Sequence, residues 1–118
     1  MRKNYSIDEL ITRLKRYCAF QERCHKEVKN KLQQLGAYGD TSDAVISHLI
    51  QHDYLNETRF AVLYVRGKFS IKKWGKKRIV NELKLRKITT YNIDKGLKQI
   101  SEKDYEHTFD TLAQKRWE

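Results

Sequence analysis

The sequence repeats itself, and the repeat limits what the chain can become. Glu27-Val28 and Lys31-Leu32 recur as Arg78-Ile79 and Glu82-Leu83. Downstream, Val45 and Leu49 recur as Ile93 and Leu97, and Asp53-Tyr54 and Phe60 recur as Asp104-Tyr105 and Phe109. Apolar residues between these points fall three and four apart, the period of a helix that buries one face. Alternating β-branched runs are absent and the chain holds no proline, so strands are not expected. Each unit reads as a long helix followed by two shorter ones, about fifty residues in all. A unit of that size buries little apolar surface alone, so neighbouring units should stack. The expected fold is all-α: tandem three-helix repeats in an elongated molecule. Residues 1–55 form the first repeat and 56–103 a basic second. Residues 104–118 supply the first helix of an incomplete third.

Local signals place the helices. Ser6 and Glu9 have the form of a capping box, so a helix begins near Ile7, with Leu10, Ile11, Leu14, Tyr17 and Cys18 on its apolar face. The next carries Cys24, Val28, Leu32 and Leu35 and stops at Gly36. Asp40, Thr41 or Ser42 can cap a third, with Val45, Leu49 and Ile50 inward. Asn56 caps a fourth that bears Phe60, Leu63 and Tyr64. A fifth starts near Gly75, with Ile79, Leu83 and Ile88 inward. Thr89 or Thr90 caps a sixth, with Ile93, Leu97 and Ile100. Ser101 and Asp104 could open a seventh.

Charge is concentrated in one place. Between Arg59 and Ile88 stand Arg66, Lys68, Lys72, Lys73, Lys76, Lys77, Arg78, Lys84, Arg86 and Lys87, against a single acid in the same second half, Glu82. The whole chain carries a formal charge of +10. Apolar residues at helical spacing run through the basic stretch, so it can fold as two packed helices and still present a positive face. Such a face attracts a polyanion or an acidic protein groove. Trp74 and Phe69 lie among the lysines. They either plug the joint between the two helices, the favoured reading, or stack on an exposed base.

Other chemistry is poorly supported. His48 and His52 lie four apart, a spacing that can hold a metal, but no third ligand is evident. Cys24 and His25 are adjacent, and adjacent residues on a helix point about 100° apart, so they do not form a nucleophile and base. No GxxxxGK or GxGxxG loop is present. Neither an enzyme nor a cofactor is expected. Cys18 and Cys24 read as reduced, buried thiols of a cytoplasmic protein. No apolar run is long enough to cross a membrane, and the start of the chain lacks a signal-peptide apolar region.

Taken together and in order, these motifs resemble the RecX regulatory proteins of bacteria. The likeness runs through Tyr17-Cys18-Ala19, Arg23, Glu27-Val28, Lys31-Leu32 and Leu35-Gly36. It continues through Tyr54-Leu55-Asn56-Glu57, Arg59-Phe60-Ala61, Arg66, Trp74-Gly75, Arg78-Ile79 and Glu82-Leu83. The resemblance covers nearly the whole chain from about Ile7 onward. It implies tandem three-helix repeats, no catalytic activity, and a partner: the RecA filament on single-stranded DNA. RecX proteins lodge in the filament groove, and RecA's ATPase, strand-exchange and coprotease activities fall. On this reading Arg66, Lys68, Lys72, Lys73, Trp74, Lys76, Lys77, Arg78, Lys84 and Arg86 form the RecA/DNA-binding surface of a monomer, with some weak direct binding to DNA. The sequence departs from the family in two places. Arg86-Lys87-Ile88 stands where many members have Lys-Gly-Ile, and the third repeat holds one helix where members commonly hold three. There are two other readings. One is a free-standing nucleic-acid-binding module that uses the same basic face, and the other, ranked last, a helix-turn-helix DNA reader with one short helix of a repeat in the major groove.

Overall fold

The computed structural model describes residues 4–100. Six helices follow one another: α1 (Ile7–Phe20), α2 (His25–Gln34), α3 (Gly39–Gln51), α4 (Glu57–Ser70), α5 (Lys76–Leu85) and α6 (Thr90–Leu97). Among the described residues there is no strand. The molecule measures 58 × 29 × 21 Å, an elongated shape.

Three helices start at the caps read from the sequence. Ser6 Oγ accepts from the Glu9 amide at 3.1 Å, and the Ser6 amide donates to Glu9 Oε1 at 3.2 Å. Asn56 Oδ1 accepts from the Arg59 amide, and Thr89 Oγ1 from the Asn92 amide. Each such cap satisfies a backbone N–H that the helix itself cannot, and is worth about 1 kcal/mol.

Helices α1, α2 and α3 pack on one another, and α4, α5 and α6 do likewise. Leu10, Leu14, Val28, Leu32, Val45, Leu49 and Leu55 centre the first core. Phe60, Ala61, Val65, Phe69, Ile79, Leu83, Ile88, Ile93 and Ile100 centre the second. The second helix of each triplet ends in the same turn. Gly36 (φ 84°) and Lys87 (φ 61°) both adopt left-handed backbone. The following amides, Ala37 and Ile88, reach back to the Leu32 and Leu83 carbonyls at 2.8 and 3.1 Å. The missing glycine at Lys87 therefore leaves the turn intact, at the cost of a side chain in a left-handed conformation.

Four expectations change. Cys24 caps α2 rather than lying within it. Helix α3 starts at Gly39 after Tyr38, so Asp40, Thr41 and Ser42 are inside its first turn, and Ile50 is exposed. Leu63 faces outward, its inward place on α4 taken by Ala61 and Val65. The repeat register also differs in the third helices. N-caps Cys24 and Gly75, turn residues Gly36 and Lys87, and N-caps Tyr38 and Thr89 match in order. These set buried Ser42, Val45 and Leu49 opposite buried Ile93, Gly96 and Ile100. The apolar pattern alone had paired Val45 and Leu49 with Ile93 and Leu97. The reason is Gly96, where a Cβ would lie 2.9 Å from both the Ala61 carbonyl oxygen and Val65 Cγ2. A glycine lets α6 approach the α4 backbone closely, and its absent side chain hides a core position from hydrophobic periodicity. The expected seventh helix and the third repeat lie outside the described residues.

The two triplets meet at the α1–α2 corner. The Cys24 side chain is fully buried in the second core, not the first. Beside it Arg59 Nε lies 2.7 Å from Glu22 Oε1, and Lys26 Nζ donates to the Leu85 carbonyl at 2.9 Å. His25 Nδ1 lies 3.4 Å from Glu57 Oε1. Half-exposed ion pairs contribute about 0–1 kcal/mol each, so these fix the angle of the joint more than its strength.

Candidate docking surface

The basic residues stand on α4, α5 and the corner between them. Helical geometry sorts them. On α5, Ile79 and Leu83 face the core, so Lys77 and Lys84 point outward on the opposite side. Arg78 sits on the flank nearest α4. On α4, Arg66 lies on the side facing α6, where its Nη2 reaches Gln99 Oε1 at 3.4 Å. Lys72 and Lys73 are exposed in the corner, Lys73 with left-handed backbone (φ 59°). Lys76, at the start of α5, is half-buried. The ten sequence-nominated residues thus do not form one continuous array.

Four of them do converge. Trp74 is half-buried against the second core, meeting Tyr64 edge-on with ring centroids 6.5 Å apart. The Arg78 guanidinium lies 3.8 Å from the centre of the Trp74 ring. Lys68 Nζ sits between the two aromatics, 4.8 Å from Trp74 and 5.4 Å from Tyr64. Arg86 covers Tyr64 at 5.0 Å and is also paired with Glu82 at 3.2 Å. The result is a ladder of three cations on two aromatic rungs. Each cation–aromatic contact contributes about 0.5–1 kcal/mol at such exposed sites, and holds a long flexible side chain in place. Phe69 is buried, so of the two aromatics embedded in the basic stretch it belongs to the core. Trp74 packs against the second core and carries the Arg78 and Lys68 cations close to its ring. Burial raises the Tyr64 hydroxyl's pKa, with Arg86 opposing the shift.

Two concavities flank the ladder. Glu22, Glu27, Phe60, Leu63, Tyr64, Lys68 and Arg86 line a cleft of about 370 Å³ at the junction of the two triplets. Leu63, Tyr64, Gly67, Lys68, Ile71 and Lys72 line an open, mostly apolar groove of about 200 Å³ along α4. Leu63, Tyr64 and Lys68 are common to both, so the cleft and groove form one track. Sequence reading missed Tyr64 as the centre of the ladder and missed this groove. A signal was present in Gly67, a glycine inside a helix, which costs about 1 kcal/mol relative to alanine. No packing requires it, because a Cβ there would meet nothing within 4 Å.

The remaining chemistry is structural. Burial pushes the Cys18 and Cys24 thiols up to about 11, where the reactive thiolate is scarce. The His48 and His52 rings stack with centroids 4.2 Å apart. Among the described residues no three His, Cys, Asp or Glu side chains converge to hold a metal, and no helix is long and apolar enough to cross a membrane.

Comparison with known proteins points one way. Residues 56–97 match the family model described as RecX, second three-helix domain. Regulatory protein RecX of Lactobacillus gasseri is 27% identical over 89 residues, which are 75% of this chain and 33% of that protein. Its counterpart in Lactobacillus johnsonii is 26% identical over the same share of each. The chain thus spans about a third of the length of the curated relatives it matches. The crystal structure of RecX from Lactobacillus salivarius superposes with a TM-score of 0.85 at 28% identity, covering 92% of this chain and 71% of that one. A second crystal structure of regulatory protein RecX gives a TM-score of 0.84 at 20% identity, covering 92% and 55%. That likeness speaks for the fold.

Proposed function

We propose that this chain is a RecX-type protein and a negative regulator of the RecA recombinase. It docks on the RecA–single-stranded DNA filament and lowers the filament's ATPase, strand-exchange and coprotease activities. The docking face is the basic surface of α4, α5 and their corner, from Arg66 to Arg86. The observation that carries this is the ladder Arg78–Trp74–Lys68–Tyr64–Arg86. Cations held on aromatic faces are ordered before a partner arrives, so less rotamer freedom is lost on binding. Outward lysines around them speed encounter with a polyanionic filament, while the aromatic and apolar groups supply grip. No catalytic step is assigned to the chain.

The test is RecA's DNA-dependent ATPase, titrated with the protein. Reversing Lys73, Lys77 and Arg78 to glutamate should raise the half-inhibiting concentration by about tenfold or more. All three are exposed, so the fold should survive. Reversing Lys3, Arg13 and Lys15, early in the sequence, makes the same change in net charge and should have far less effect. Equal loss in both folded variants would reject a localised face. Equal affinity for the filament and for a bare oligonucleotide would favour the nucleic-acid module instead.

A further inference from the structure

We propose that the joint between the two triplets is a hinge that pivots on Cys24 and is latched by Arg59. The latch sets the angle at which the basic second triplet stands to the first. This device goes beyond the docking reading above and does not depend on it.

The joint is thinly packed. Among the described residues every extensive helix contact lies within a triplet, α1 to α3 on one side and α4 to α6 on the other. Cys24 is the one described side chain of the first triplet that the second core buries. Space remains around it. Gln21, Glu22 and Glu27 face Tyr64, Lys68 and Arg86 across the cleft of about 370 Å³. Ile50 and Asp53 face Thr58 and Asn92 across another of about 280 Å³. A small, polar and incompletely filled interface lets two bodies turn against each other, as a large apolar one does not.

Arg59 stands against the preference of its own helix. It is the third residue of α4, where its amide donates to Asn56 Oδ1 and the helix dipole disfavours a cation. Its reach offsets that cost. Arg59 Nε lies 2.7 Å from Glu22 Oε1, in the link between α1 and α2. In the link between α3 and α4, Nη1 lies 3.1 Å from Asp53 Oδ2 and Nη2 donates to the Asp53 carbonyl at 2.9 Å. Asp53 has left-handed backbone (φ 61°), which aspartate tolerates better than most residues. One side chain thus holds both links to the start of α4. The other ties, His25 to Glu57 and Lys26 to the Leu85 carbonyl, each join a single pair of residues. The latch is also releasable. The Asp53 side chain is 75% exposed, so salt screens that pair. The Glu22 contact is short but poorly aligned as a hydrogen bond. Glu22 Oε2 is shielded and has no hydrogen-bond partner among the described residues.

The test is amide residual dipolar couplings of the full-length protein, aligned in a neutral stretched gel. In about 0.1 M salt the couplings of α1–α3 and of α4–α6 should fit one common alignment frame. In about 1 M salt, where charges are screened beyond about 3 Å, the two sets should lose that common frame. Arg59→Met keeps an apolar stem without the charge and should lose it already at the lower salt. Each triplet should still fit its own couplings, which shows that both cores are folded. Arg59→Lys puts one ammonium in place of the fork and should restore the common frame only in part. If Arg59→Met does not fold, Glu22→Gln combined with Asp53→Asn removes the same charges from the other side. Asparagine tolerates the left-handed backbone there. An unchanged common frame in the folded variant would overturn the latch. Two independent frames in the unaltered protein at the lower salt would overturn it too, because the joint would then be free with Arg59 in place. RecA is absent from this experiment, so either failure leaves the docking reading standing.

Discussion

Single atoms decide several properties of this chain. Gly96 is the tightest point, because a Cβ there would press on the Ala61 carbonyl and on Val65. Helix propensity alone favours Gly96→Ala by about 1 kcal/mol, but forcing α4 and α6 apart costs about 1–3 kcal/mol. The backbone oxygen cannot move aside as a side chain can. Gly96→Ala should therefore lower the urea midpoint, and an unchanged or higher midpoint would show that the helices can separate freely. His48 gives a dependence on pH. Burial, stacked His52 and nearby Lys15 hold its pKa below the ordinary 6.5, with Asp8 opposing them. The folded state thus binds fewer protons than the unfolded one once pH drops to about 6.5. Stability from this group is full above that value and is lost as pH falls toward the folded pKa. Urea titrations between pH 7 and 5 should show the midpoint falling, and His48→Gln should flatten that slope.

At the scale of the elements, the turn closing α2 and α5 is the same object built from different residues. Gly36 adopts it freely, whereas Lys87 carries a side chain at φ 61°. A left-handed L residue costs about 1–2 kcal/mol, part of which glycine gives back through a more disordered unfolded chain. Lys87→Gly should stabilise the protein by about 0.5–1 kcal/mol, seen as a higher melting temperature. A decrease would mean that Lys87 makes contacts worth more than its strain. These turns also mark how far the sequence could be read. The starts of α1, α4 and α6 were legible because Ser6, Asn56 and Thr89 announce them with local hydrogen bonds. The register of α6 against α3 was not, since a polar Ser42 and a bare Gly96 occupy core positions where periodicity looks for apolar side chains. The charge of the candidate docking surface was legible from composition. Its organisation was not, because the ladder on Tyr64 and Trp74 exists only once α5 is packed beside α4.

At the scale of the molecule, two cores are strung along a long axis. The radius of gyration is 17.6 Å, against about 13 Å for a compact domain of this length. Cys24 belongs by sequence to the first triplet and by contact to the second, so it should tie their stabilities together. Cys24→Ala removes a fully buried side chain from the second core and should cost about 1–3 kcal/mol. Hydrogen exchange should then quicken in α4–α6 as well as in α1–α3. Faster exchange confined to α1–α3 would mean that the joint transmits nothing. The same thiol has a history during synthesis. The ribosome releases Cys24 well before Ile100, which completes its surroundings. At about 5–20 residues per second, the roughly 75 residues between them take on the order of 4–15 s to make. Through that interval the thiol is open to water and oxidant, and it becomes inert when the second triplet closes over it.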